Sequence, residues 1–341
     1  MNFPLFMPFE SSTFTVIQCT SNNSCPVQMF SSSLTSCGRS DDLCLYNYGY
    51  ADLSNTSGYL FKDKLTVGGQ ARNNINNQQL VFGCGIVNQG VETGFNASGF
   101  LGLSRGPLSL VSQLGMKVFS HCVPYRAGEN TNVTGFLTLG KSVSQILNLT
   151  TSLQYTPMLQ NPSQASYYVE LTGISVNDML LNIPTSAFSF STDGLSGGTT
   201  VDSGTTFTTF VAEAYSVFET AFLSAMDPSL LRFDIDGPCY AFPISNQAPA
   251  QRLVAPRVTL HFKNNLDLLL STEHAFYEFF PDFNNTAQDF LCMAYKSTDS
   301  IAGARSNIVG NFQLQNIIVE YDIQNSRIGF VAVSNCSSTT G

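Results

Sequence analysis

The segment Gly197-Gly-Thr-Thr-Val-Asp202-Ser-Gly-Thr-Thr206 places one aspartate at the end of a short β-branched run and at the start of a turn. Gly204 lets the backbone turn tightly, so that its N–H can reach the Asp202 carboxylate. Ser203 and Thr205 add hydroxyl groups beside that carboxylate. Two interpretations stay open here. Asp202 is a chemically active carboxylate, or its side chain only caps its own loop, which is common in Asp-Ser-Gly turns.

The rest of the chain has the pattern of a β protein. Gly, Asn and Pro interrupt short β-branched or alternating runs at intervals typical of hairpins. The predicted strands are residues 79–82, 135–139, 167–176, 257–262 and 316–321. Apolar residues spaced three and four apart predict one amphipathic helix over 211–226, and a shorter helix is predicted over 108–114. Strands without regular intervening helices exclude a doubly wound α/β sheet, so we predict an all-β, β-dominated fold.

Two short motifs indicate that this fold has two lobes. Phe100-Leu-Gly102 lies in the first half of the chain, and Ile308-Val-Gly310 lies in the second half. A chain of 341 residues also exceeds the length of one average domain. We therefore predict two lobes, with an internal duplication reflected in the paired apolar-apolar-Gly motifs.

Composition excludes several classes of partner. Hydrophobic residues make up 43% of the chain and charged residues only 11%, with a net charge of −9. This acidic balance argues against nucleic acid as a partner, because there is no basic patch to neutralise phosphates. No apolar run is long enough for a membrane span. No His or Cys cluster has the spacing of metal ligands, and no Gly-rich phosphate loop precedes a helix, so we expect no metal and no cofactor.

Cysteines and sequons together favour the secretory route. Four of the nine cysteines, Cys19, Cys25, Cys37 and Cys44, crowd into one polar stretch. The N-x-S/T glycosylation candidates are Asn22, Asn55, Asn96, Asn132, Asn148, Asn284 and Asn335. The opening residues do not have the pattern of a signal peptide, and an odd ninth cysteine is unusual in a secreted protein, so both features require an explanation.

A competing motif is Gly102-Leu-Ser104-Arg-Gly106, which has the form of the nucleophile elbow of serine hydrolases. That elbow needs a strand-to-helix turn in a parallel α/β sheet, and no such sheet is predicted. The candidate general bases are His121, His261 and His274, and His261 falls in the middle of a predicted strand. The serine-hydrolase interpretation is therefore disfavoured.

Several long motifs, in order along nearly the whole chain, resemble the plant pepsin-like aspartic peptidases of the nepenthesin type. Val201-Asp-Ser-Gly-Thr-Thr206 resembles the second catalytic motif of that family. The other matching segments are residues 81–85, 99–114, 167–175, 308–313, 321–322 and 328–330. The resemblance implies a bilobal pepsin-like fold with an N-terminal lobe over 1–157 and a C-terminal lobe over 158–341. It also implies a monomeric acid endopeptidase of the secretory route, acting on proteins or peptides.

The resemblance assigns roles to individual residues. Asp202 would be one of two catalytic aspartates that share a proton across a bound water. Ser203 would form an inter-lobe hydrogen bond, Thr205 would bond an outer carboxylate oxygen, and Gly310 would belong to the loop that frames Asp202.

Residues 50–58 resemble the flap hairpin, and Tyr50 would be the flap tyrosine that closes over substrate. The family usually has Gly at the positions of Ala51 and Leu53. These departures would stiffen the tip of the flap. The alternative for Tyr50 is a plain aromatic residue of a hairpin.

The chain departs from the family where the first Asp-Thr-Gly motif is expected. Its first aspartate of any kind is Asp41, and residues 3–14 resemble a segment that normally follows that motif. We therefore expect an N-terminally truncated chain with an incomplete first lobe, no signal peptide and no peptidase activity of its own. Two alternatives stay open, a non-catalytic binding or inhibitor protein on the same fold and a relic that does not fold stably.

The family's nested pattern of disulfides implies a pairing for this chain. The implied bonds are Cys19–Cys44, Cys25–Cys37, Cys122–Cys336 and Cys239–Cys292. Cys84 would remain unpaired. Spacing alone does not choose among these connectivities.

Overall fold

The computed structural model forms two compact units, Met1–Met116 and Lys117–Gly341. The residues that the structure describes are 5–22, 24–27, 35–38, 42–66, 78–90, 98–125, 133–147, 149, 151–161, 165–192, 194, 196–243, 253–279, 288–300 and 305–336.

The first unit is built on one antiparallel sheet. Its elements are β1 (Thr15–Val16), β2 (Thr35–Cys37), β3 (Cys44–Gly49), β4 (Asn55–Lys64), β5 (Gln79–Gln89) and the short helix α1 (Leu110–Gln113). The strand order is β1-β4-β3-β2, and β5 also pairs with β4. Ile17, Cys44, Tyr46 and Leu60 form its buried cluster. Helix α1 begins at Ser109, whose side chain accepts a hydrogen bond from the Ser112 N–H and so caps the helix.

The disulfides of the first unit differ from the predicted nested pairing. Cys19 bonds to Cys37 and Cys25 bonds to Cys44, with Cα separations of 6.1 and 5.3 Å. Both separations lie in the range that a disulfide spans. The register of β2 and β3 places Cys37 directly opposite Cys44. In the segment before β2, Cys19 is the partner of Cys37 and Cys25 is the partner of Cys44. The predictions of Cys19–Cys44 and Cys25–Cys37 are therefore wrong.

The second unit contains a ten-stranded sheet with the order β20-β13-β21-β12-β9-β8-β23-β22-β6-β7. In chain order, these strands are β6 (Val118–Cys122), β7 (Phe136–Leu139), β8 (Gln154–Leu159), β9 (Tyr168–Val169), β12 (Thr199–Asp202), β13 (Thr208–Phe210), β20 (Tyr295–Ser297), β21 (Asn307–Gly310), β22 (Ile317–Asp322) and β23 (Arg327–Ala332). The predicted strands over 135–139, 167–176 and 316–321 are confirmed.

Two smaller sheets complete the second unit. One has the order β11-β10-β16-β17 and the other has the order β14-β15-β19-β18. Their strands are β10 (Leu171–Val176), β11 (Met179–Leu180), β14 (Arg232–Asp234), β15 (Pro238–Pro243), β16 (Val258–Phe262), β17 (Leu266–Leu270), β18 (Phe276–Phe279) and β19 (Gln288–Met293). The predicted disulfides Cys122–Cys336 and Cys239–Cys292 are present, and the latter joins cross-strand partners of β15 and β19.

The predicted amphipathic helix is α2 (Ala212–Ser224). Its inward face buries Ala214, Phe218 and Phe222 completely. Phe218 packs edge-on against Phe210 of β13 at 5.1 Å between ring centroids and against Tyr295 of β20 at 4.9 Å. Large aromatic rings dominate the packing energy of a core, so this helix anchors β13, which follows the Asp202 turn and pairs with β21, together with its other neighbour β20.

The two compact units divide earlier in the chain than the predicted lobe boundary after residue 157. Strand β6 pairs with β22, and β8 pairs with β23, so residues 118–159 pair with the last strands of the chain. These pairings join segments far apart in sequence, and local patterns do not reveal them.

Candidate active site

Asp202 is the last residue of β12, and Gly310 is its direct partner in the parallel pairing of β12 with β21. Strand β13 pairs with the other edge of β21 through Thr209 and Ile308. The turn that carries Asp202 is thus held between two strands that flank β21. Strands Thr199–Asp202 and Asn307–Gly310 bring the Asp-Ser-Gly-Thr motif and the Ile-Val-Gly motif into contact.

The Asp202 carboxylate is exposed and accepts two hydrogen bonds from its own turn. The Gly204 N–H donates to Oδ1 at 2.8 Å, and the Thr205 hydroxyl donates to Oδ2 at 2.8 Å. Each carboxylate oxygen keeps a lone pair that can accept a further hydrogen bond from a water or a ligand. The Asp202 side chain thus caps its own loop, and the same two hydrogen bonds fix the orientation of the carboxylate.

Gly310 is required at its position by the backbone of residues 206 and 207. A Cβ on Gly310 would lie 2.5 Å from the carbonyl carbon of Phe207 and 2.8 Å from the carbonyl oxygen of Thr206. Backbone atoms cannot move aside as a flexible side chain can. The Gly310 N–H donates to the Thr208 hydroxyl at 3.1 Å, which further fixes this close approach.

Asn311 ties the Asp202 turn to β21, a role that sequence reasoning missed. Its side-chain amide donates to the Ser203 carbonyl at 2.9 Å, and its backbone N–H donates to the Thr205 carbonyl at 2.8 Å. The Phe312 N–H donates to the Thr206 carbonyl at 2.9 Å. The one available signal was an amide residue directly after Ile308-Val-Gly310.

Aromatic residues pack around the Asp202 turn within the second unit. Tyr321 is fully buried, and burial together with the charge of Asp202 raises the pKa of its hydroxyl well above the ordinary value. Its ring stacks on Phe119 at 4.5 Å and contacts Tyr167 at 4.6 Å. The half-buried Phe207 ring contacts Tyr277 at 4.7 Å. The Asp202 charge thus acts on a buried tyrosine of β22, while the carboxylate itself stays exposed.

Tyr50 belongs to the hairpin between β3 and β4 of the first unit. Its N–H donates to the Ser54 carbonyl at 2.8 Å, and its ring contacts Tyr48 at 5.0 Å and Phe100 at 6.2 Å. Leu53 at the tip has a φ of 68°, a left-handed conformation that favours glycine, and its side chain is exposed. The departure from glycine at this position is therefore a strained one, whereas Ala51 has no such conformation.

The serine-hydrolase alternative has no support in the described residues. The Ser104 hydroxyl accepts a hydrogen bond from the Gly106 N–H at 3.3 Å within a turn. Ser175, His261 and Asp267 do form a hydrogen-bonded chain, with 2.7 Å from the serine to Nε2 and 2.6 Å from Nδ1 to the carboxylate. Ser175 is buried on β10, a strand that pairs on both sides, so no backbone N–H is available there for an oxyanion.

The predicted modification sites occupy different environments. Asn22 is exposed in a turn, Asn335 is half-buried, and Asn55 lies in β4 where its amide donates to Gln89 at 3.0 Å. The sequons that lie outside the described residues are Asn96, Asn132, Asn148 and Asn284. Cys84 is the free cysteine, as the resemblance implies, and burial raises the pKa of its thiol.

Over the ranges that the structure describes, no group of three or more His, Cys, Asp or Glu side chains could hold a metal ion. In the same ranges, we find no helix with the length and apolar character needed to cross a membrane.

A β protein with this carboxylate turn has the features of a pepsin-like aspartic peptidase lobe, and comparisons with known proteins agree. The family model described as Xylanase inhibitor N-terminal matches residues 1–141, and the one described as Xylanase inhibitor C-terminal matches residues 166–332. Aspartic proteinase nepenthesin-1 of Nepenthes gracilis is 33% identical over 340 residues, which cover 98% of this chain and 69% of that protein. Aspartyl protease 25 of Oryza sativa subsp. japonica is 32% identical over 348 residues, which cover 97% of this chain and 73% of that protein. The chain belongs to the plant pepsin-like aspartic peptidase family.

Solved structures show the same fold. Basic 7S globulin from soybean aligns with a TM-score of 0.68 and 19% identity, covering 97% of this chain and 87% of that chain. The crystal structure of edgp aligns with a TM-score of 0.63 and 18% identity, covering 97% of this chain and 85% of that chain.

Proposed function

We propose that Asp202 is one of the two catalytic carboxylates of an aspartic endopeptidase that cleaves proteins or peptides at acidic pH. The observation that carries this proposal is the Asp202 turn itself. An exposed carboxylate accepts one hydrogen bond on each oxygen, and its turn is fixed against Gly310 and Asn311. Such preorganisation holds a reactive group in place before substrate arrives.

The chemistry requires a second carboxylate on the opposite side of a water. One carboxylate removes a proton from that water as it attacks the peptide carbonyl, and the other donates its proton to the carbonyl oxygen. Residues 1–341 contain no second Asp-Thr-Gly or Asp-Ser-Gly motif. We therefore propose that residues 1–341 alone do not turn over peptide substrates, and that Asp202 acts with a carboxylate of a separate first-lobe motif.

The other residues support this role. Gly204 and Thr205 orient the carboxylate, and Gly310 admits the close approach of the turn. The four disulfides require an oxidising compartment, which favours the secretory route, and the protein acts as a monomer without a metal or cofactor.

A second candidate function is a non-catalytic protein that binds and inhibits a glycosidase. Two observations favour it. Both matching family models are described as xylanase inhibitor domains, and Leu53 stands at the flap tip where the peptidases usually have glycine. In that case the Asp202 turn would be a structural remnant.

The two functions are separated by one pair of measurements. Residues 1–341 are compared with the same chain fused to a first-lobe segment of a nepenthesin-type peptidase that carries Asp-Thr-Gly. We expect pepstatin-sensitive digestion of denatured globin by the fused chain only, and no retention of either chain on an immobilised xylanase. Tight xylanase binding without digestion by the fused chain would favour the inhibitor function instead.

A further inference from the structure

A cavity of about 880 Å³ opens on the second unit beside strands β6, β8, β22 and β23. Its lining contains no residue of the Asp202 turn. Its volume falls in the range of pockets that bind small molecules. Polar side chains such as Ser144, Thr151 and Asn325 line it together with a few leucines.

Three of the cavity's side chains are cations: Lys117, Lys141 and Arg327. The whole chain has only 15 lysines and arginines against 24 acidic residues, so their convergence on one cavity is unusual. The Arg327 guanidinium lies 3.8 Å from the centre of the Tyr155 ring, and its Nε donates to Asp322 at 2.8 Å. Stacking on an aromatic ring holds a guanidinium flat and leaves its remaining N–H groups directed outward.

The three cations keep unused hydrogen-bond donors within the part of the chain that the structure describes. Neither lysine ammonium has an ion-pair partner there, and Arg327 uses only its Nε. Lys117 and Lys141 are exposed, so both can reach a molecule in the cavity.

The two acids of the cavity already use most of their acceptor capacity within the protein. The Glu320 carboxylate is buried and accepts hydrogen bonds from the Tyr155 hydroxyl and the Val143 N–H, each at 2.6 Å, and from the Ser120 and Ser142 hydroxyls at 2.9 to 3.1 Å.

Asp322 is similarly occupied. It accepts from both nitrogens of Asn325 and from Arg327. The cavity therefore has a surplus of charged donors over free acceptors.

We propose that this cavity binds a small ligand with an oxyanion group on a hydroxyl-bearing body, that is, an acidic or phosphorylated sugar. The oxyanion lies between Arg327, Lys117 and Lys141, where charge-assisted hydrogen bonds are strongest. The hydroxyl groups of the ligand meet the serine, threonine and amide side chains of the rim. The site is independent of the peptidase function, because no residue of the Asp202 turn takes part.

The test is calorimetric titration of residues 1–341 with four probes: glucose, glucose 6-phosphate, glucuronate and inorganic phosphate. The two test variants are Lys117→Met and Lys141→Met. The matched control for loss of one charge is Lys64→Met, at an exposed position of the first unit. All three lysines are exposed, so the variants retain the fold, which circular dichroism checks.

We expect glucose 6-phosphate and glucuronate to bind and glucose not to bind. Lys117→Met and Lys141→Met should each weaken binding by about tenfold, the loss of one charge-assisted hydrogen bond, while Lys64→Met leaves it unchanged. Equal binding of glucose, equal weakening by Lys64→Met, or no binding of any probe overturns the proposal. Inorganic phosphate binding as tightly as glucose 6-phosphate would show that the sugar body makes no contribution, and would also contradict it.

Discussion

Asp202 and Gly310 are direct partners across the parallel strands β12 and β21, and Gly310 lies so close to Phe207 that it has no room for a side chain. The backbone of Thr206 and Phe207 therefore packs directly against Gly310. This contact converts a short sequence motif and a distant glycine into one rigid carboxylate site.

Replacing Gly310 with alanine should destabilise the second unit. The new Cβ would lie 2.5 Å from the Phe207 carbonyl carbon, and the turn would have to shift. We expect a loss of about 1–3 kcal/mol of unfolding free energy, typical of overpacking. Chemical denaturation measures it. Gly99→Ala, where no atom lies within 4 Å of the new Cβ, is the control. Equal stability of the two variants would contradict the steric account.

The flap tip allows a test in which two similar substitutions have opposite effects. Leu53 has a φ of 68°, so Leu53→Gly removes the strain of a left-handed conformation and should stabilise the first unit by roughly 1 kcal/mol. Ala51 has no positive φ, so Ala51→Gly should destabilise it by roughly 0.5–1 kcal/mol through added chain entropy. Chemical denaturation of both variants measures the two changes in unfolding free energy. Changes of the same sign would refute this explanation of the flap tip.

Two buried histidines should make the stability of the protein fall as the solution becomes acidic. His121 and His274 are both buried. Among the described residues, His121 Nε2 and both ring nitrogens of His274 have no hydrogen-bond partner. Burial lowers the pKa of each imidazole from 6.5 to about 4.

Above pH 6.5 both residues are neutral in the folded and unfolded states. Between about pH 6.5 and pH 4 only the unfolded state binds the proton. Each histidine therefore lowers the free energy of unfolding by up to about 3 kcal/mol as the pH falls through this range. His121→Phe and His274→Phe should each flatten the dependence of unfolding free energy on pH in this window. An unchanged slope in both variants would contradict the prediction.

Peptide mapping under non-reducing conditions should recover Cys19–Cys37 and Cys25–Cys44, not the nested alternative. Cys84 should be alkylated without reduction, and Cys84→Ser should retain all four disulfides. Recovery of a Cys19–Cys44 peptide, or a bond to Cys84 within the chain, would show the pairing to be wrong.

Local patterns were enough to predict the strand before Asp202, the turn after it and helix α2, because each depends on residues close in sequence. The tie from Asn311 to Ser203 was missed because 108 residues separate the two. The pairing of Cys19, Cys25, Cys37 and Cys44 depended on the register of β2 and β3, and four close cysteines allow three pairings. The pairing of residues 118–159 with strands at the end of the chain also joins distant segments, so local patterns did not reveal it.

The most direct measurement of the central claim is kcat/KM for a peptide substrate at acidic pH in the chain completed with an Asp-Thr-Gly first-lobe segment. Asp202→Asn should abolish turnover while leaving the unfolding free energy nearly unchanged. Thr205→Val, which removes the hydrogen bond to Oδ2, should reduce kcat/KM by roughly tenfold, and Thr205→Ser should restore most of it. Pepstatin-sensitive turnover that survives Asp202→Asn would contradict the assignment of Asp202 as a catalytic carboxylate.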